Sequence, residues 1–558
     1  WERMTIHDRF FRQAEKYADR EYIFSETRSW TYAEVKTLSK KFGAGLLTIG
    51  LKPREHVAIN FPNYAEFIIS RYGINAASGV AIPLNYRLRK DEFQYIINQS
   101  DSSYLVTVDK WQNTDYISMF RELFPEVFQG GKSAAFPHLR KIIVYSPEGK
   151  KYEGTIDFYD LVDMCKEEEI EPLLSSVSEF CKYPDDVTDI MYTSGTTSLP
   201  KGVMTTHDML WRSALGSCIN RGFQEGRRVF IPIPLYHTFG FIEGVLASTL
   251  VGGSFILQVN FDAREALELM EKCKADDIVC VPTIGIKLVE EYRRQPVQLQ
   301  LNAMYCAGAE APLWMWKALR EELGATELIT GYGMTECAAG VLQTDPQDEV
   351  EKIVQYVGRV IPGGSAGLPE LGGRPIEFRV KDIDTGEYLG TGQEGELVIR
   401  GPIVTKGYYN KPDETMNTID KDGWLKTGDL GVINENGYIS LTGRSKDIYR
   451  IGAENVSPKE IEDVLTTHPK VFQAYVVGVP DPVMGEVGMA WIVPQPDCDL
   501  KEQEVLDYAL EKLARFKVPK YIKIIKDHEL PVNGTGKVQK FRIKNWFMEQ
   551  KDSLKALI

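Results

Sequence analysis

The sequence predicts an α/β protein with a large N-terminal domain and a small C-terminal one. Through about residue 440, short β-branched runs such as HVAIN (56–60) and KIIVY (141–145) alternate with amphipathic segments such as AREALELMEKCK (263–274). This alternation is typical of mostly parallel sheets covered by helices. From about residue 430, short strands with turn signals such as Asn436-Gly437 predict a β-rich subdomain, followed by an α+β domain.

The C-terminal domain is predicted from its helix signals. In SPKEIEDVLTTHP (457–469), Ser457 suits the N-cap position and Pro458 the first helical position. A second helix is expected over about 504–515. The predicted domains are residues 1–445 and residues 446–558.

Composition and charge limit the class of partner. The chain has 558 residues, of which 43% are hydrophobic, and 65 Lys and Arg against 79 Asp and Glu give a net charge of −14. The hydrophobic content is ample for folded cores. The acidic balance argues against bulk binding of nucleic acid or anionic membranes, which Lys and Arg dominate. An anionic ligand would therefore need a few local cations and backbone N–H groups.

The cysteines, the N-terminal residues and the apolar stretches of the sequence predict a cytoplasmic protein. The eight cysteines form no C-x-x-C pair, which favours buried, reduced thiols. The N-terminus lacks the apolar core of a signal peptide. The apolar stretch Phe239 to Val259 contains Glu243 and four glycines, so we expect a buried helix–turn–strand and no integral membrane segment.

The segment YTSGTTSLPKGV (192–203) is a candidate phosphate loop. Its small and hydroxylated residues offer backbone N–H and OH donors, and Lys201 adds a positive charge. It is not a Walker A loop, because Pro200 and Gly202 stand where that motif needs Gly and Ser or Thr. An ordinary surface loop is the alternative.

The segment TGYGMTE (330–336) resembles a dinucleotide-binding glycine motif, except that its last position is Glu336. A carboxylate there would repel a pyrophosphate unless Mg²⁺ lay between them. Tyr332 offers an aromatic face for a base.

Two further glycine turns carry one charged residue each. GWLKTGD (423–429) presents Asp429, which suits a ribose diol, and LPVNGTGK (530–537) presents Lys537. Taken singly, each of these residues fits a solvated turn better than a binding site.

The order of these motifs is more specific than any one of them. They are TSGTTSLPKG (193–202), GYGMTE (331–336), GELVIRG (395–401), TGD (427–429), GRSKD (443–447) with PKEIE (458–462), and TGK (535–537). Together they resemble the adenylate-forming superfamily of acyl- and aryl-CoA synthetases, peptide-synthetase adenylation domains and luciferases, over residues 8 to 545.

The resemblance implies a two-step reaction that uses ATP, Mg²⁺ and, in the ligases, CoA. A carboxylate attacks the α-phosphate of Mg·ATP, which releases pyrophosphate and leaves an acyl-adenylate. The CoA thiol then displaces AMP. Nucleotidyl transfer of this kind depends mainly on positioning and charge stabilisation.

The resemblance also implies roles for individual residues. The nucleotide site comprises Thr193, Ser194, Gly195, Thr196, Thr197, Lys201, Gly308, Ala309, Glu310, Gly331, Tyr332, Gly333, Met334, and, at the ribose, Asp429 and Arg444. The catalytic set comprises Thr335 at the phosphates, Glu336 as the Mg²⁺ ligand, Lys537 between acyl oxygen and α-phosphate, His237 as the gate of the acyl pocket, and Arg450 and Asn455 in the second half-reaction. For His237, a core histidine is the alternative.

The remaining implied roles concern the hinge and the two substrate channels. Lys446 is the hinge about which a small, mobile C-terminal domain rotates between the half-reactions. The CoA tunnel is expected at Gly452 and Ala453. The acyl pocket is expected at His237, Phe239, Phe241, Ala307, Cys337 and Ala338.

The chain departs from the family pattern in three places. Ser198 stands where many relatives have Gly, which a hydroxyl donor tolerates. Residues 345–364 suggest an inserted loop. Ala453 replaces a glycine of the pantetheine tunnel, where its methyl group could crowd the thiol.

Within the superfamily, the motifs favour an acid–CoA ligase acting on a medium-sized, mostly apolar aliphatic, alicyclic or aryl monocarboxylate. GYYNKP (407–412) is closer to CoA ligases than to amino-acid-activating domains, although Asp208 and Glu243 are not excluded as partners of an α-ammonium. The alternatives are an acyl-AMP ligase that loads a carrier protein or an amine, a luciferase-like oxygenase, and a non-catalytic nucleotide-binding protein. The expected partners are the acid, ATP and CoA, with a homodimer left open.

Overall fold

The computed structural model describes residues 1–193, 199–451, 454–496, 498–532, 538–551, 554 and 556–557, with the backbone alone at Asn455. The described residues form two compact units. The first comprises 1–193, 200–377 and 400–425, and the second comprises residue 199, residues 378–399 and the described part of 426–558. The domain boundary predicted at 445/446 stays a prediction.

The strands, in chain order, are Glu21–Phe24 (β1), Ser29–Thr31 (β2), His56–Asn60 (β3), Val80–Pro83 (β4), Ser102–Val108 (β5), Lys110–Trp111 (β6), Thr114–Asp115 (β7), Lys141–Tyr145 (β8), Ile156–Asp157 (β9), Val187–Thr193 (β10), Lys201–Thr206 (β11), Arg228–Ile231 (β12), Ser254–Leu257 (β13), Asp277–Cys280 (β14), Ala303–Cys306 (β15), Glu327–Ile329 (β16), Gly331–Met334 (β17), Ala339–Gln343 (β18), Arg359–Val360 (β19), Glu377–Lys381 (β20), Glu394–Arg400 (β21), Leu425–Ile433 (β22), Ile439–Arg444 (β23), Tyr449–Ile451 (β24), Glu454–Val456 (β25), Val471–Asp481 (β26), Gly485–Pro494 (β27) and Tyr521–Ile524 (β28).

The α-helices are Ile6–Lys16 (α1), Tyr32–Thr48 (α2), Ala65–Ala76 (α3), Lys90–Gln99 (α4), Tyr116–Leu123 (α5), Pro125–Phe128 (α6), Phe158–Val162 (α7), Glu167–Val177 (α8), His207–Asn220 (α9), Ala247–Leu250 (α10), Ala263–Cys273 (α11), Pro282–Arg294 (α12), Leu313–Glu321 (α13), Val350–Gln355 (α14), Pro412–Thr418 (α15), Pro458–Thr466 (α16), Glu502–Lys512 (α17) and Lys540–Gln550 (α18). A π-helix covers Phe239–Leu246, directly before α10.

Two seven-stranded sheets organise the first unit. One has the order β16-β15-β14-β12-β13-β1-β2 and the other β11-β10-β4-β3-β5-β8-β9. Each is parallel except for one antiparallel edge strand, β2 in the first and β11 in the second. Their central strands are buried on both faces, as in β5, in which every residue is buried. This confirms the predicted helix-covered, mostly parallel sheets.

After β16, antiparallel pairing predominates among the described strands. β17, β18 and β19 form a small antiparallel sheet in the first unit. In the second unit, β22 and β23 form an antiparallel hairpin within the four-stranded order β20-β21-β22-β23. The turn between β22 and β23 contains Asn436-Gly437, as its composition predicted.

The C-terminal sheet, with the order β25-β24-β27-β26 and β28 alongside β27, is covered on both faces. Because side chains alternate along a strand, Val476 of β26 packs with Ile461 of α16, while its neighbour Val477 packs with Ile543 of α18. Helix α16 begins at Pro458, as predicted. Ser457 is its N-cap residue, also as predicted, but the Ser457 hydroxyl donates to the Thr442 carbonyl at 2.9 Å and makes no capping bond.

Two further stretches can be compared with their predicted structure. Phe239 to Val259 is the π-helix, α10, a turn and β13, which confirms the predicted buried helix–turn–strand. Residues 345–364 are not simply a loop, because they include α14, whose Val350 and Ile353 are buried. Among the described residues, no helix is long and apolar enough to cross a membrane.

Candidate active site

Three predicted ligand-binding segments follow strands of the first sheet. His237 lies beyond the end of β12, Gly308 follows β15, and Gly331 follows β16. These strands are parallel and lie in the order β16-β15-β14-β12, so their carboxyl ends meet at one edge. Ligands of open α/β sheets bind at this edge. Residues 308–310 are exposed there, and Gly308 has a φ of +92°, which favours glycine.

Glu336 lies in the short turn Thr335–Cys337, between β17 and β18. Its carboxylate is buried and accepts a hydrogen bond of 2.9 Å from the phenol of Tyr408. Its backbone carbonyl accepts the N–H of Thr405 at 2.7 Å. Burial, and then the charge of Glu336, raise the pKa of Tyr408, so the phenol remains a proton donor at neutral pH.

Lys201 lies over the ring of the same tyrosine. Its ammonium lies 5.0 Å from the centroid of the Tyr408 ring and forms an ion pair with Glu414. The backbone holds this arrangement, because Tyr409 donates to Gly202 at 2.8 Å alongside β11. Tyr408 thus links the lysine that ends the predicted phosphate loop to the predicted metal ligand.

Sequence reasoning did not single out Tyr408 or Glu414 as site residues. Both lie in or directly after GYYNKP (407–412), which served only as a sign of resemblance to CoA ligases. Tyr408 is 72 residues from Glu336, and no local spacing relates the two.

The described residues hold no group of three or more His, Cys, Asp or Glu side chains that could form a metal site by themselves. Glu336 therefore offers one carboxylate, with the hydroxyl-bearing Thr335 beside it. This donor set fits Mg²⁺, which commonly takes one or two carboxylates and completes its shell with water and substrate phosphates.

The predicted acyl-pocket residues divide into two groups. His237 and Phe239 are half-buried, and Nδ1 of His237 accepts the Phe239 N–H at 3.2 Å. The Phe239 ring packs edge-on against Tyr305, with centroids 5.0 Å apart. The other members, Phe241, Ala307, Cys337 and Ala338, are buried.

Phe241 faces a buried ion pair. The Arg71 guanidinium lies 3.4 Å from the centroid of its ring, and Arg71 contacts Asp189 at 2.8 Å. All three side chains are fully buried. Residues two apart on a helical turn point in different directions, which explains why Phe239 and Phe241 do not share surroundings.

The buried carboxyl of Glu243 and the hydroxyl of Tyr305 both lie close to Gly340. The Glu243 carboxyl accepts the Gly340 N–H at 3.1 Å, and Nη1 of Arg221 lies 3.9 Å away. Burial raises the pKa of Glu243 to about 7, with Arg221 opposing this shift. Glu243 therefore fixes the backbone at Gly340, which follows Ala338 and Ala339, two residues with positive φ.

The second unit contains the predicted ribose residues. Asp429 and Arg444 are cross-strand partners on β22 and β23, and the guanidinium contacts the carboxylate at 3.0 Å. Lys446 lies exposed in the turn after β23, and Arg450 is exposed on β24. The structure thus brings Asp429 and Arg444 together.

Several predicted site residues lie outside the described part of the chain. They are Ser194, Gly195, Thr196, Thr197, Gly452, Ala453, Lys537 and the side chain of Asn455. Thr193 is described as the last residue of β10, where it pairs with Lys201 of β11.

Comparisons with known proteins agree with this architecture. Residues 10–409 match the family model of the AMP-binding enzyme, and residues 460–537 match that of the AMP-binding enzyme C-terminal domain. The chain is 32% identical to the putative acyl-CoA synthetase YngI of Bacillus subtilis, over 96% of each chain. It is 30% identical to the mitochondrial medium-chain acyl-CoA ligase ACSF2 of Danio rerio, over 95% of this chain and 86% of that protein.

A solved structure extends the likeness to the fold. ATP-bound MatB from Rhodopseudomonas palustris superposes with a TM-score of 0.79 at 26% identity, over 97% of this chain and 99% of that one. The predicted fold class and resemblance are therefore confirmed. The chain belongs to the AMP-binding enzymes, the adenylate-forming family that includes the acyl-CoA synthetases.

Proposed function

We propose that this chain is an ATP-dependent acid–CoA ligase that converts a medium-sized, mostly apolar monocarboxylic acid into its CoA thioester. In the first step, a carboxylate oxygen bonds to the α-phosphorus of ATP and pyrophosphate leaves. In the second, the CoA sulfur bonds to the acyl carbon and AMP leaves. The observation that supports this most is the Lys201–Tyr408–Glu336 arrangement, which brings a cation and the predicted metal ligand together around one tyrosine.

The described residues contribute mainly by orientation and charge. Lys201 supplies positive charge beside the phosphate loop, and the Tyr408 phenol fixes the direction of the Glu336 carboxylate. Tyr332 is proposed to stack on adenine, with residues 308–310 on its other side. Glu336 would hold Mg²⁺, which neutralises charge on the phosphates.

The second unit supplies the ribose site and the mobile groups. Asp429 accepts well from a diol, and Arg444 orients the carboxylate at 3.0 Å. Lys537 is proposed to stabilise the charge that develops between acyl oxygen and α-phosphate. Rotation of a domain that starts near Lys446 would exchange Lys537 for Arg450 and Asn455 beside the CoA tunnel at Gly452 and Ala453.

The choice of acid rests on the composition of the predicted acyl pocket. Ala307, Cys337 and Ala338 are small and apolar, and the Phe239 ring packs edge-on against Tyr305. An apolar pocket distinguishes one methylene by about 1–3 kcal/mol, so a range of related acids is expected. The Danio rerio relative is named a medium-chain ligase, which agrees with this size. Transfer to a carrier protein or an amine is not favoured, because the relatives are named for CoA chemistry.

The substrate class is tested by measuring kcat/KM for CoA thioester formation across a series of acids. The series comprises acetate, hexanoate, octanoate, cyclohexanecarboxylate, benzoate and succinate. The proposal predicts that one of the C6–C8 monocarboxylates exceeds acetate and succinate by at least tenfold. Acetate or succinate as the best substrate would contradict the proposed pocket.

The compartment is proposed from the cysteines. None of the eight forms a disulfide in the described part of the chain and seven are buried, which suits a reducing compartment such as the cytoplasm. Two results would agree with this location. Activity should be unchanged after incubation with millimolar dithiothreitol, and eight thiols should titrate when the protein is unfolded without prior reduction. A disulfide in the native protein would contradict it.

A further inference from the structure

Glu462 is a buried carboxylate of the second unit to which the proposed reaction gives no role. It lies on α16, and only 12% of its side chain is exposed. Its Oε1 accepts the N–H of Val476 on β26 at 2.6 Å and contacts the Lys540 ammonium at 2.7 Å. Burial raises the pKa of this carboxyl, and Lys540 is the main opposing influence. Removing the cation would leave a buried charge uncompensated, so the pair constrains both elements.

Lys540 occupies a specific place in the chain. It is the first residue of α18 and follows the predicted catalytic lysine, Lys537, by three positions. Just before it, the Gln539 N–H donates to the Pro531 carbonyl at 2.7 Å. The two chain ends that flank segment 533–537 therefore meet beside Lys540.

The Lys540 ammonium reaches a second carboxylate. Oδ2 of Asp447 lies 3.9 Å from Nζ of Lys540. Asp447 directly follows Lys446, the predicted hinge, and closes its turn by donating its N–H to the Arg444 carbonyl at 3.1 Å. The Lys540 side chain thus contacts both α16 and the hinge turn, and it lies three residues after Lys537.

We propose that Lys540, held by Glu462 and Asp447, is a positioning residue for Lys537 in the adenylation step. The proposal rests on the proposed role of Lys537. The ion pairs fix the start of α18, and the Gln539–Pro531 hydrogen bond fixes the two ends of the segment against each other. A misplacement of a catalytic group by 1 Å costs on the order of 100-fold in rate. Since Lys537 is proposed to serve only adenylation, its displacement should spare CoA transfer.

The test measures the two half-reactions separately in the full-length protein. Adenylation is followed as pyrophosphate release from ATP and octanoate, and transfer as octanoyl-CoA formation from synthetic octanoyl-AMP and CoA. Lys540→Met should lower the adenylation rate at least tenfold and keep the transfer rate within twofold of wild type. Lys540→Arg, which retains the charge, should restore adenylation to within threefold.

Lys544→Met is the matched control. Lys544 lies one turn further along α18, is 46% exposed, and contacts Glu486 at 3.3 Å. Both half-reactions should remain within twofold of wild type in this variant. Glu462→Gln keeps an acceptor for the Val476 N–H and removes the charge, so it provides the same comparison if Lys540→Met does not fold.

Three results would overturn the proposal. The first is an adenylation rate within twofold of wild type in Lys540→Met, or in Glu462→Gln if Lys540→Met does not fold. The second is a loss of CoA transfer as large as the loss of adenylation in the same variant. The third is a loss of adenylation in Lys544→Met as large as that in Lys540→Met. Lys537→Ala, measured in parallel, distinguishes the positioning role of Lys540 from the proposed role of Lys537 in adenylation. If Lys537→Ala loses adenylation and Lys540→Met does not, only the positioning role is wrong. If Lys537→Ala keeps adenylation, the role of Lys537 is wrong and the positioning role falls with it.

Discussion

The phenol of Tyr408 donates a hydrogen bond of 2.9 Å to Glu336, while the ammonium of Lys201 lies 5.0 Å from the centroid of the same ring. One tyrosine therefore relates the predicted Mg²⁺ ligand to the lysine that ends the phosphate loop. The hydrogen bond restricts the rotation of the carboxylate, and the ring limits where the ammonium can lie. The rate of adenylation and the Mg²⁺ concentration that it requires should both depend on Tyr408.

Tyr408→Phe should lower the rate of pyrophosphate release about tenfold and raise the Mg²⁺ concentration needed for half-maximal rate. Loss of a hydrogen bond to a charged group costs about 1.5–3 kcal/mol, which corresponds to roughly 10- to 100-fold. The measurement is pyrophosphate release against Mg²⁺ concentration. Tyr409→Phe is the control, because the neighbouring phenol donates instead to Asp101 at 2.9 Å. Similar curves for the two variants would refute the role of Tyr408.

Asp429→Asn should raise the KM for ATP at least tenfold with a smaller effect on kcat. The carboxylate is held by Arg444 and is suited to accept two hydroxyl protons, which an amide accepts less well. Steady-state kinetics with varied ATP measures the effect. Glu377→Gln removes a comparable carboxylate, which contacts Arg400 at 3.2 Å outside the predicted site, and should leave the KM unchanged. An unchanged KM in Asp429→Asn would count against ribose binding there.

Glu243→Gln should change how stability depends on pH. Burial raises the pKa of Glu243 to about 7 from 4.5, so between these values the native protein retains a proton that the unfolded chain releases. This contribution to stability is complete below about pH 4.5 and is lost as pH rises through 7. Glutamine does not titrate.

The free energy of unfolding of Glu243→Gln, relative to wild type, should therefore increase between pH 5 and 8 by about 2–3 kcal/mol. Urea unfolding at pH 5, 6, 7 and 8 measures this difference. A difference that stays constant over the whole range would mean that Glu243 does not titrate there, for which its neighbour Arg221 would be the cause.

Gly340→Ala should destabilise the protein by about 1–3 kcal/mol, as overpacking of a core does. A methyl group at this position would lie 2.3 Å from the Tyr305 hydroxyl oxygen and 2.9 Å from Oε1 of Glu243. Tyr305→Phe removes the nearest of these atoms. The double variant should therefore recover at least half of the loss caused by Gly340→Ala, after correction for Tyr305→Phe alone. Strict additivity in thermal or urea unfolding would refute this contact.

The sequence predicted the parallel sheets well because their signals are local. HVAIN and KIIVY form strands β3 and β8 with the predicted bounds, and AREALELMEKCK forms α11 with a difference of one residue at its end. Alternation of strands and helices then implies parallel sheets. The ordered motifs identified the family, and with it ATP, Mg²⁺ and CoA as the ligands its members use.

What the sequence did not predict depends on contacts between distant segments. Tyr408 reaches Glu336 only because residues 407–409 pair beside β11. The contact of Phe241 with Arg71 on the π-helix was also not predicted, and the place of Phe241 in the acyl pocket stays a prediction. Ser457 is the N-cap of α16, yet its hydroxyl donates to the carbonyl of Thr442 on β23 and not to the helix. A homodimer stays a prediction.

The most direct test of the central proposal is mass-spectrometric detection of products from ATP, Mg²⁺ and a mixture of monocarboxylic acids, with and without CoA. The account predicts pyrophosphate and AMP together with a C6–C8 acyl-CoA, and a thioester only when CoA is present. Acyl-AMP and pyrophosphate without any thioester would contradict the CoA ligase and would indicate that Ala453 obstructs the thiol or that the acceptor is a carrier protein or an amine.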